Sequence, residues 1–382
     1  MSPRRTPALL ALTTLAGLAA AITPAATAQA APPAASTGPG GTVIASGLHN
    51  PRQLSIGPGG AVYVAEAGLG GDGACITNPE GGQMCVGATG SITRITRGQQ
   101  ERVVTGLPSL AGPDGGGAQG PGDVHVTGRW VTIGMGLGGS PDARASLGAD
   151  GARLGTVLHG RLGGDLAVIA DPVAWEALHN PAGEDLDSNP TGVLPVGNSG
   201  QVIVVDAGAN ALEAFGRGDR TLAVLPPLMA EAPPFLGLPP GTRIPAQSVP
   251  TDVERGPDGA LYVSELTGFP FPVGGSRIWR VEPGRAPTVY ADGLTTVTSI
   301  AWRGDDLYAV QLSDGGLLSQ EPGSLRRVDP DGEHAVVAGG LFMPYGVAVQ
   351  GGTAYVSTCS IAGGPIPGVC PDGGEVRAVV LR

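Results

Sequence analysis

Short apolar runs recur along the chain, and each pair of runs is joined by a turn rich in Gly, Pro and Asp. Residues 53–66 and 252–265 share one order of run, turn and run, and residues 299–311 and 346–358 repeat it in shorter form. Such runs around tight turns are typical of antiparallel β-strands. The unit recurs six times, which predicts an all-β fold, a six-bladed β-propeller with four-stranded blades.

The ends of the chain are predicted to meet in one blade. Fourth strands end in a recurrent phrase, as in Val289–Leu294 and Val336–Leu341, and Val43–Leu48 repeats this phrase ahead of the first blade. The last blade reaches the end of the chain at its third strand, near residues 376–381. We therefore expect the N-terminal strand, residues 42–46, to complete the C-terminal blade and close the ring.

The lengths of the connections distinguish the two faces of the ring. Connections between strands one and two, and between strands three and four, are tight turns, as in residues 256–259. Connections between strands two and three are long, as in residues 266–275 and 359–374. Up-and-down strands place all the long connections on one face, which is therefore where we expect binding or catalysis.

The N-terminus has the pattern of an export signal. Arg4 and Arg5 precede an apolar stretch, and Ala28–Ala30 has the small-x-small form of a cleavage site. We predict a signal peptide (1–30), a linker (31–40) and a propeller domain (41–382) that is secreted as a monomer with no membrane span. The chain has no Lys and a net charge of −11, which argues against nucleic acid as a partner and excludes Lys-based catalysis.

Four cysteines in an exported chain indicate disulfides. Cys75 and Cys85 bracket one Gly-rich loop, and Cys359 and Cys370 bracket another. These are the pairs we expect, although three connectivities are formally possible.

Alignment of the repeats places acidic residues around the axis. One ring reads Arg52, Asp123, Gly192, Asp252, Ser299 and Gly346, and the ends of the second strands read Glu66, Gly134, Asp206, Glu265, Gln311 and Thr358. One hypothesis is a hard divalent ion such as Ca²⁺ held by Glu66, Asp206 and Glu265. The alternative is that each acid accepts hydrogen bonds within its own loop.

Other candidates lie on the same face. His49 precedes the first blade and is a candidate base or ligand, whereas His125 lies in an apolar run and is expected in the core. A rim of Phe235, Phe269 and Phe271 is a candidate contact surface. No serine-hydrolase, zinc-protease or phosphate-loop motif is present in the sequence.

The phrases Asp206–Asn210, Asp187–Pro190 and above all Glu265–Pro272 resemble the ScyD/ScyE family of exported propeller proteins, whose architecture is of the NHL and SMP-30 kind. The resemblance covers essentially the whole mature chain, and it adds Asn210 to the candidate binding residues. The chain departs from the family pattern at Thr191 and around Glu213. The family is associated with the making of a sunscreen pigment, and most members are uncharacterised.

Together these features predict an exported module that binds a small molecule or a protein in an extracytoplasmic pathway. The alternative is a metal-assisted hydrolase or lyase of the lactonase kind, in which carboxylates from separate blades would hold the ion beside an open coordination position.

Overall fold

The computed structural model describes residues 40–78, 81–197, 200–319 and 321–382. The predicted signal peptide and residues 31–39 of the predicted linker lie outside the described residues. Within these ranges the chain forms six four-stranded antiparallel sheets, which are the predicted blades of a β-propeller.

The strands follow one another along the chain, blade by blade. Blade 1 contains β2 (Pro51–Ile56), β3 (Val62–Glu66), β5 (Gln83–Thr96) and β6 (Gln99–Ala111), with the short β4 (Cys75–Thr77) beside β5. Blade 2 contains β7 (Pro121–Thr127), β8 (Trp130–Met135), β9 (Val157–Arg161) and β10 (Leu166–Ala170). Blade 3 contains β11 (Pro190–Val196), β12 (Gln201–Asp206), β13 (Ala211–Phe215) and β14 (Arg220–Val224).

The second half of the ring is more regular. Blade 4 contains β17 (Pro250–Arg255), β18 (Leu261–Glu265), β19 (Ser276–Val281) and β20 (Thr288–Leu294). Blade 5 contains β21 (Val297–Arg303), β22 (Asp306–Gln311), β23 (Gly323–Val328) and β24 (Ala335–Leu341). Blade 6 contains β25 (Val347–Gln350), β26 (Thr353–Thr358), β27 (Gly374–Val380) and the N-terminal strand β1 (Thr42–Leu48).

The predicted closure of the ring is confirmed. Strand β1 pairs antiparallel with β27, with Thr42 opposite Ala378 and Leu48 opposite Gly374. The first strands of successive blades contact one another in a closed cycle from β2 through β25 and back to β2. The first strands therefore surround the axis and line a central channel.

The core lies between the blades. Each pair of neighbouring blades encloses its own cluster of buried apolar side chains, so there are six such clusters in the described part of the ring. Leu54 of blade 1 and Val376 of blade 6, for example, share the cluster at the closure. Because both faces of a blade are covered, its strands are apolar runs and do not alternate.

Long connections emerge on one face, as predicted, and we call it the long-loop face; the opposite face is the tight-turn face. The helix α3 (Pro172–His179) lies in the connection between blades 2 and 3. Two helices were not predicted, α1 (Pro141–Ser146) and α2 (Gly148–Gly151), because their eleven-residue span has no apolar stripe.

The remaining elements lie in connections. A two-stranded hairpin of β15 (Leu228–Glu231) and β16 (Arg243–Ala246) lies between blades 3 and 4, and 3₁₀ turns span Pro58–Gly60 and Pro234–Leu236. The two predicted disulfides, Cys75–Cys85 and Cys359–Cys370, are confirmed. None of the helices in the described ranges has the length and apolarity to cross a membrane.

Candidate functional site

Glu66 ends the second strand of blade 1 and is fully buried. Its carboxylate accepts hydrogen bonds from the backbone amide of His49 at 2.7 Å and from Thr93 Oγ1 at 2.5 Å. Arg102 pairs with it through Nη2 at 2.8 Å. Burial raises the pKa of Glu66, but the hydrogen bonds from Arg102, Thr93 and His49 outweigh it and lower the pKa below the usual range.

Glu265 occupies the same place in blade 4. It is fully buried and pairs with Arg277. Ser248 Oγ donates to it at 2.5 Å and Trp279 Nε1 at 2.8 Å. Here burial outweighs the donors, and the pKa of Glu265 is raised. Both glutamates are therefore ion-paired capping groups that connect the strands of one blade.

Asp206 ends the second strand of blade 3 and lacks an arginine partner. Ser188 Oγ donates to its Oδ2 at 2.5 Å, and the backbone amides of Asn189, Gly208 and Ala209 donate to its Oδ1 at 2.7, 3.0 and 3.1 Å. Burial, the largest effect, raises its pKa in spite of these donors.

More acids surround Asp206. Glu213 lies opposite Val204, at the register position that Thr93 and Trp279 occupy in blades 1 and 4. It is fully buried, and neither of its carboxylate oxygens has a hydrogen-bond partner. Burial, with the charges of Asp206 and Glu176, raises the pKa of Glu213 to about 9.

Glu176 of α3 is the third buried acid of this group. Burial, with the charges of Asp206 and Asp187, raises its pKa to about 7. Because an isolated buried carboxylate is strongly disfavoured, Glu213 holds a proton at neutral pH, and Glu176 gains one as the pH falls through about 7. We call Glu176, Asp206 and Glu213 the blade-3 acid cluster.

The structure does not bring Glu66, Asp206 and Glu265 together. In the described ranges no three His, Cys, Asp or Glu side chains are grouped so that they could hold a metal ion. The donors to each carboxylate come from its own blade or from the segment just before it. These local hydrogen-bond donors fit the alternative in which each acid accepts hydrogen bonds within its own loop, and they do not fit a divalent ion shared by the three carboxylates.

His49 and Asn210 also have local roles. The backbone amide of His49 donates a hydrogen bond to the carboxylate of Glu66. The imidazole ring of His49 is half-buried, and burial and the charge of Arg102 lower its pKa. The Oδ1 atom of Asn210 accepts from the amide of Val249 at 2.9 Å and thereby connects blade 3 to the segment before blade 4.

The structure corrects the first ring at blade 1. Asp123 and Asp252 lie two residues after the starts of β7 and β17, and the residue two after the start of β2 is Gln53, not Arg52. The same register shift follows the first residue of all three strands, so these positions are equivalent. These residues connect consecutive blades. Asp123 accepts from the amide of Val193 at 2.8 Å, and Asp252 accepts from Ser299 Oγ at 2.8 Å.

The strand pairing also corrects the second ring, at blade 2. Pro121 pairs with Met135, so Met135 and not Gly134 is the blade-2 counterpart of Glu66.

His125 was expected in the core, but its side chain is 25% exposed and lies beside Asp123, 3.5 Å from Nε2 to Oδ2. Burial opposes its positive charge, yet the carboxylates of Asp123, Glu254 and Asp252 outweigh burial and raise its pKa to about 9. Burial and Asp123 raise the pKa of Asp252 to about 6, and burial and Asp252 raise that of Glu254 to about 8. The channel therefore contains a group of coupled titrating side chains.

A pocket with about 50 Å³ of space lies at the mouth of the channel on the long-loop face. All six blades, or the connections that follow their strands, contribute to its wall, and the polar members include Arg52, Asn189, Thr191, Thr251 and Tyr345.

Arg52 is the one charged residue among the described residues that line this pocket. Its Nη2 donates to the carbonyl of Ala118 at 2.7 Å, and its guanidinium stacks over the ring of Tyr345, 4.7 Å from the centroid. Desolvation lowers the pKa of Arg52.

The predicted aromatic rim is only partly exposed. Phe235 is 68% exposed, Phe269 is half-buried and Phe271 is buried. The rings of Phe235 and Phe269 are 6.1 Å apart, and those of Phe269 and Phe271 are 6.0 Å apart.

The sequence analysis did not identify several residues of these sites as functional candidates, namely Gln53, Thr93, Arg102, Glu176, Glu213, Glu254, Arg277 and Tyr345. Of these, Glu213 alone carried a signal, as a departure from the family pattern at a third-strand position.

No family model matches this chain, and no curated protein matches it. Among solved structures, an inactive variant of virginiamycin B lyase from Staphylococcus aureus in complex with quinupristin has 14% identity and a TM-score of 0.41 over 80% of this chain and 76% of that one. A Thermus thermophilus protein assigned as an oxidoreductase (glucose dehydrogenase) has 17% identity and a TM-score of 0.46 over 88% and 98%.

A protein assigned as a gluconolactonase has 16% identity and a TM-score of 0.36 over 66% of this chain and 74% of that one. Similarities this low carry no information about ligand or reaction. Membership of the ScyD/ScyE family stays a prediction from the sequence.

Proposed function

We propose that this protein is an exported β-propeller of the ScyD/ScyE type that binds a small molecule at the mouth of its central channel. The observation that carries the proposal is the pocket at the axis, to which all six blades contribute. Concave sites on a rigid scaffold, where several elements converge, are the usual places for small ligands. The two disulfides are consistent with an extracellular location.

Arg52 determines the chemistry of the proposed ligand. The guanidinium is buried and has no carboxylate partner among the described residues. Its donors fit a carboxylate in a bidentate manner. The space of about 50 Å³ admits one such group and not a drug-sized molecule, since whole-ligand pockets span roughly 300–1,000 Å³. The ligand would therefore insert an acidic group beside Tyr345 and leave its remainder against the long loops.

A second candidate function is a hydrolase or lyase reaction, with or without a metal. The raised pKa values of His125, Asp252 and Glu254 in the channel favour it, because shifted pKa values cluster at catalytic sites. However, the described residues that line the mouth pocket include no carboxylate, imidazole or thiol. Binding without chemistry is therefore the function that this site supports better.

A ligand-observed NMR screen of the mature protein tests the proposal, with matched sets of small carboxylates, neutral amides and amines. Carboxylates should bind preferentially. Leu317 lines the pocket, whereas its neighbour Leu318 is 53% exposed and is not among the lining residues. In a parallel titration that follows backbone amide shifts, carboxylates should shift the resonances of Thr251 and Tyr345, which line the pocket, in the wild type and in Leu318→Trp but not in Leu317→Trp. Shift changes at these two residues that survive Leu317→Trp, or that are equal for all three classes, would refute the proposal.

A further inference from the structure

A second pocket lies on the opposite face. It has about 180 Å³ of space between blades 3 and 4 on the tight-turn face. It is lined by the turns that connect β13 to β14 and β17 to β18, and by Val196 and Gln201 at the adjoining ends of β11 and β12. The space is open because three of the lining residues, Ala214, Gly218 and Gly259, have a small side chain or none.

The floor of this pocket is apolar. Ile203 and Leu261 contribute to it, and both are buried members of the apolar cluster between blades 3 and 4. Val202 and Phe215 also line the pocket, but their side chains pack in the cluster between blades 2 and 3. Leu222 is half-buried at its side. An apolar surface of this kind favours a hydrocarbon portion of a ligand over water.

Three arginines surround the opening. Arg217, Arg220 and Arg255 line the pocket and are exposed. Arg220 donates to the carbonyl of Gly218 at 3.2 Å, and Arg255 donates to that of Gly259 at 2.9 Å. Each guanidinium has five N–H donors, so these contacts leave further donors for a ligand.

No carboxylate is among the described residues that line this pocket. Two acids that adjoin lining residues on the tight turns are engaged elsewhere. Asp219 accepts from the amide of Gly216 at 2.8 Å, and Asp258 pairs with Arg280 at 2.7 Å. In a chain with a net charge of −11, three such arginines form a local field of opposite sign that attracts anions.

We propose that this pocket is a second ligand site, distinct from the channel mouth, and that it takes a small carboxylate with one ring or a short aliphatic chain. The hydrocarbon part would lie on Ile203, Leu222 and Leu261, and the carboxylate would contact the arginines. The size fits, because an apolar cavity of about 150 Å³ holds one benzene molecule. Arginine is preferred over other cations for such planar, two-point recognition of a carboxylate.

Isothermal titration and NMR with benzoate, benzamide and inorganic phosphate test the proposal, with every variant made in a Leu317→Trp background so that the channel mouth is blocked. Benzoate should bind at least about tenfold more tightly than benzamide, which lacks the charge, and than phosphate, which lacks the ring. Arg217→Gln and Arg255→Gln should each weaken benzoate binding by about tenfold. The matched control is Arg285→Gln, an arginine on the same blade surface with a side chain 74% exposed, which should leave binding unchanged.

Ala214→Leu provides a test that does not remove a charge. Three added carbons would fill the floor, so benzoate binding should be lost while the melting temperature is kept. Leu317→Trp changes the channel mouth alone and should leave benzoate binding at the second site intact. Failure of the second-site proposal can therefore be distinguished from failure of the proposed function. Equal affinities for benzoate and benzamide, or benzoate binding unchanged in Ala214→Leu, would overturn the second site.

Discussion

The carboxylate of Glu213 faces that of Asp206 inside blade 3, and neither oxygen of Glu213 accepts a hydrogen bond. In blades 1 and 4 the equivalent acids, Glu66 and Glu265, are neutralised by Arg102 and Arg277. Blade 3 has no such arginine among the residues that interact with its acid cluster in the described ranges. Protons must therefore replace the missing cation.

The first prediction concerns this cluster and pH. The pKa of Glu213 is about 9 when folded, against about 4.3 when unfolded. Between these two pH values the carboxyl group of Glu213 holds a proton in the folded state and has lost it in the unfolded state. Its contribution to stability is complete below the unfolded pKa and is lost as pH rises through about 9. The expected slope for one proton is about 1.4 kcal/mol per pH unit. Glu213→Gln, which stays neutral, should remove this loss in urea unfolding between pH 5 and 9.

Glu231→Gln is the matched control, because Glu231 is exposed on the neighbouring hairpin. It should follow the wild type at every pH. A wild-type protein and a Glu213→Gln variant with parallel stability profiles would show that Glu213 is not held as a neutral acid.

The second prediction concerns the ion pair of blade 4. Arg277→Gln leaves the buried carboxylate of Glu265 without its counter-ion, and loss of one partner of a buried pair costs about 3–5 kcal/mol. The double variant Arg277→Gln with Glu265→Gln should regain most of this stability. Chemical denaturation at pH 7 gives both values.

Arg285 and Glu282 are an exposed pair, 3.2 Å apart, on the same blade. Arg285→Gln should cost less than about 1 kcal/mol. If the Arg277 and Arg285 variants were equally stable, the buried pair would not have the structural role assigned to it.

The third prediction concerns metal. Since the lone pairs of Glu66, Asp206 and Glu265 are engaged by donors close to each residue, chelation should not remove a shared ion. The melting temperature should be the same in EDTA and in Ca²⁺. A clear drop in EDTA that Ca²⁺ reverses and Glu265→Gln abolishes would restore the shared-ion hypothesis.

The sequence predicted the architecture well, for a physical reason. Repeated turns and connection lengths determine how many blades form, which face carries the loops and where β1 must pair. Contacts between side chains are less predictable. The predicted ring contained Arg52, which lies one residue after the start of β2, whereas Asp123 and Asp252 lie two residues after the starts of their strands, so the equivalent residue is Gln53. Because successive side chains of a strand point to opposite sides, an error of one residue selects a side chain on the wrong side.

The partners of the acids were not predictable from alignment of the repeats. Arg102 lies on the fourth strand of its blade and Arg277 on the third, so the two counter-ions of equivalent acids do not occupy equivalent positions. Similarly, the environment of His125 depends on Glu254 and Asp252 from a blade that follows more than 120 residues later. An apolar run around a histidine cannot reveal such neighbours.

The last prediction concerns His125 in the channel. Its folded pKa is about 9 and its unfolded pKa about 6.5, so its contribution to stability is complete below pH 6.5 and is lost as pH rises through 9. NMR of the imidazole should show a protonated ring up to about pH 9. Asp123→Asn removes the largest attractive charge, keeps an oxygen for the amide of Val193, and should lower the pKa of His125 by a unit or more. Glu213→Gln lies outside the channel group and should leave this titration unchanged. A wild-type ring that titrates near 6.5, or one that ignores Asp123→Asn, would mean that the channel does not hold this charge.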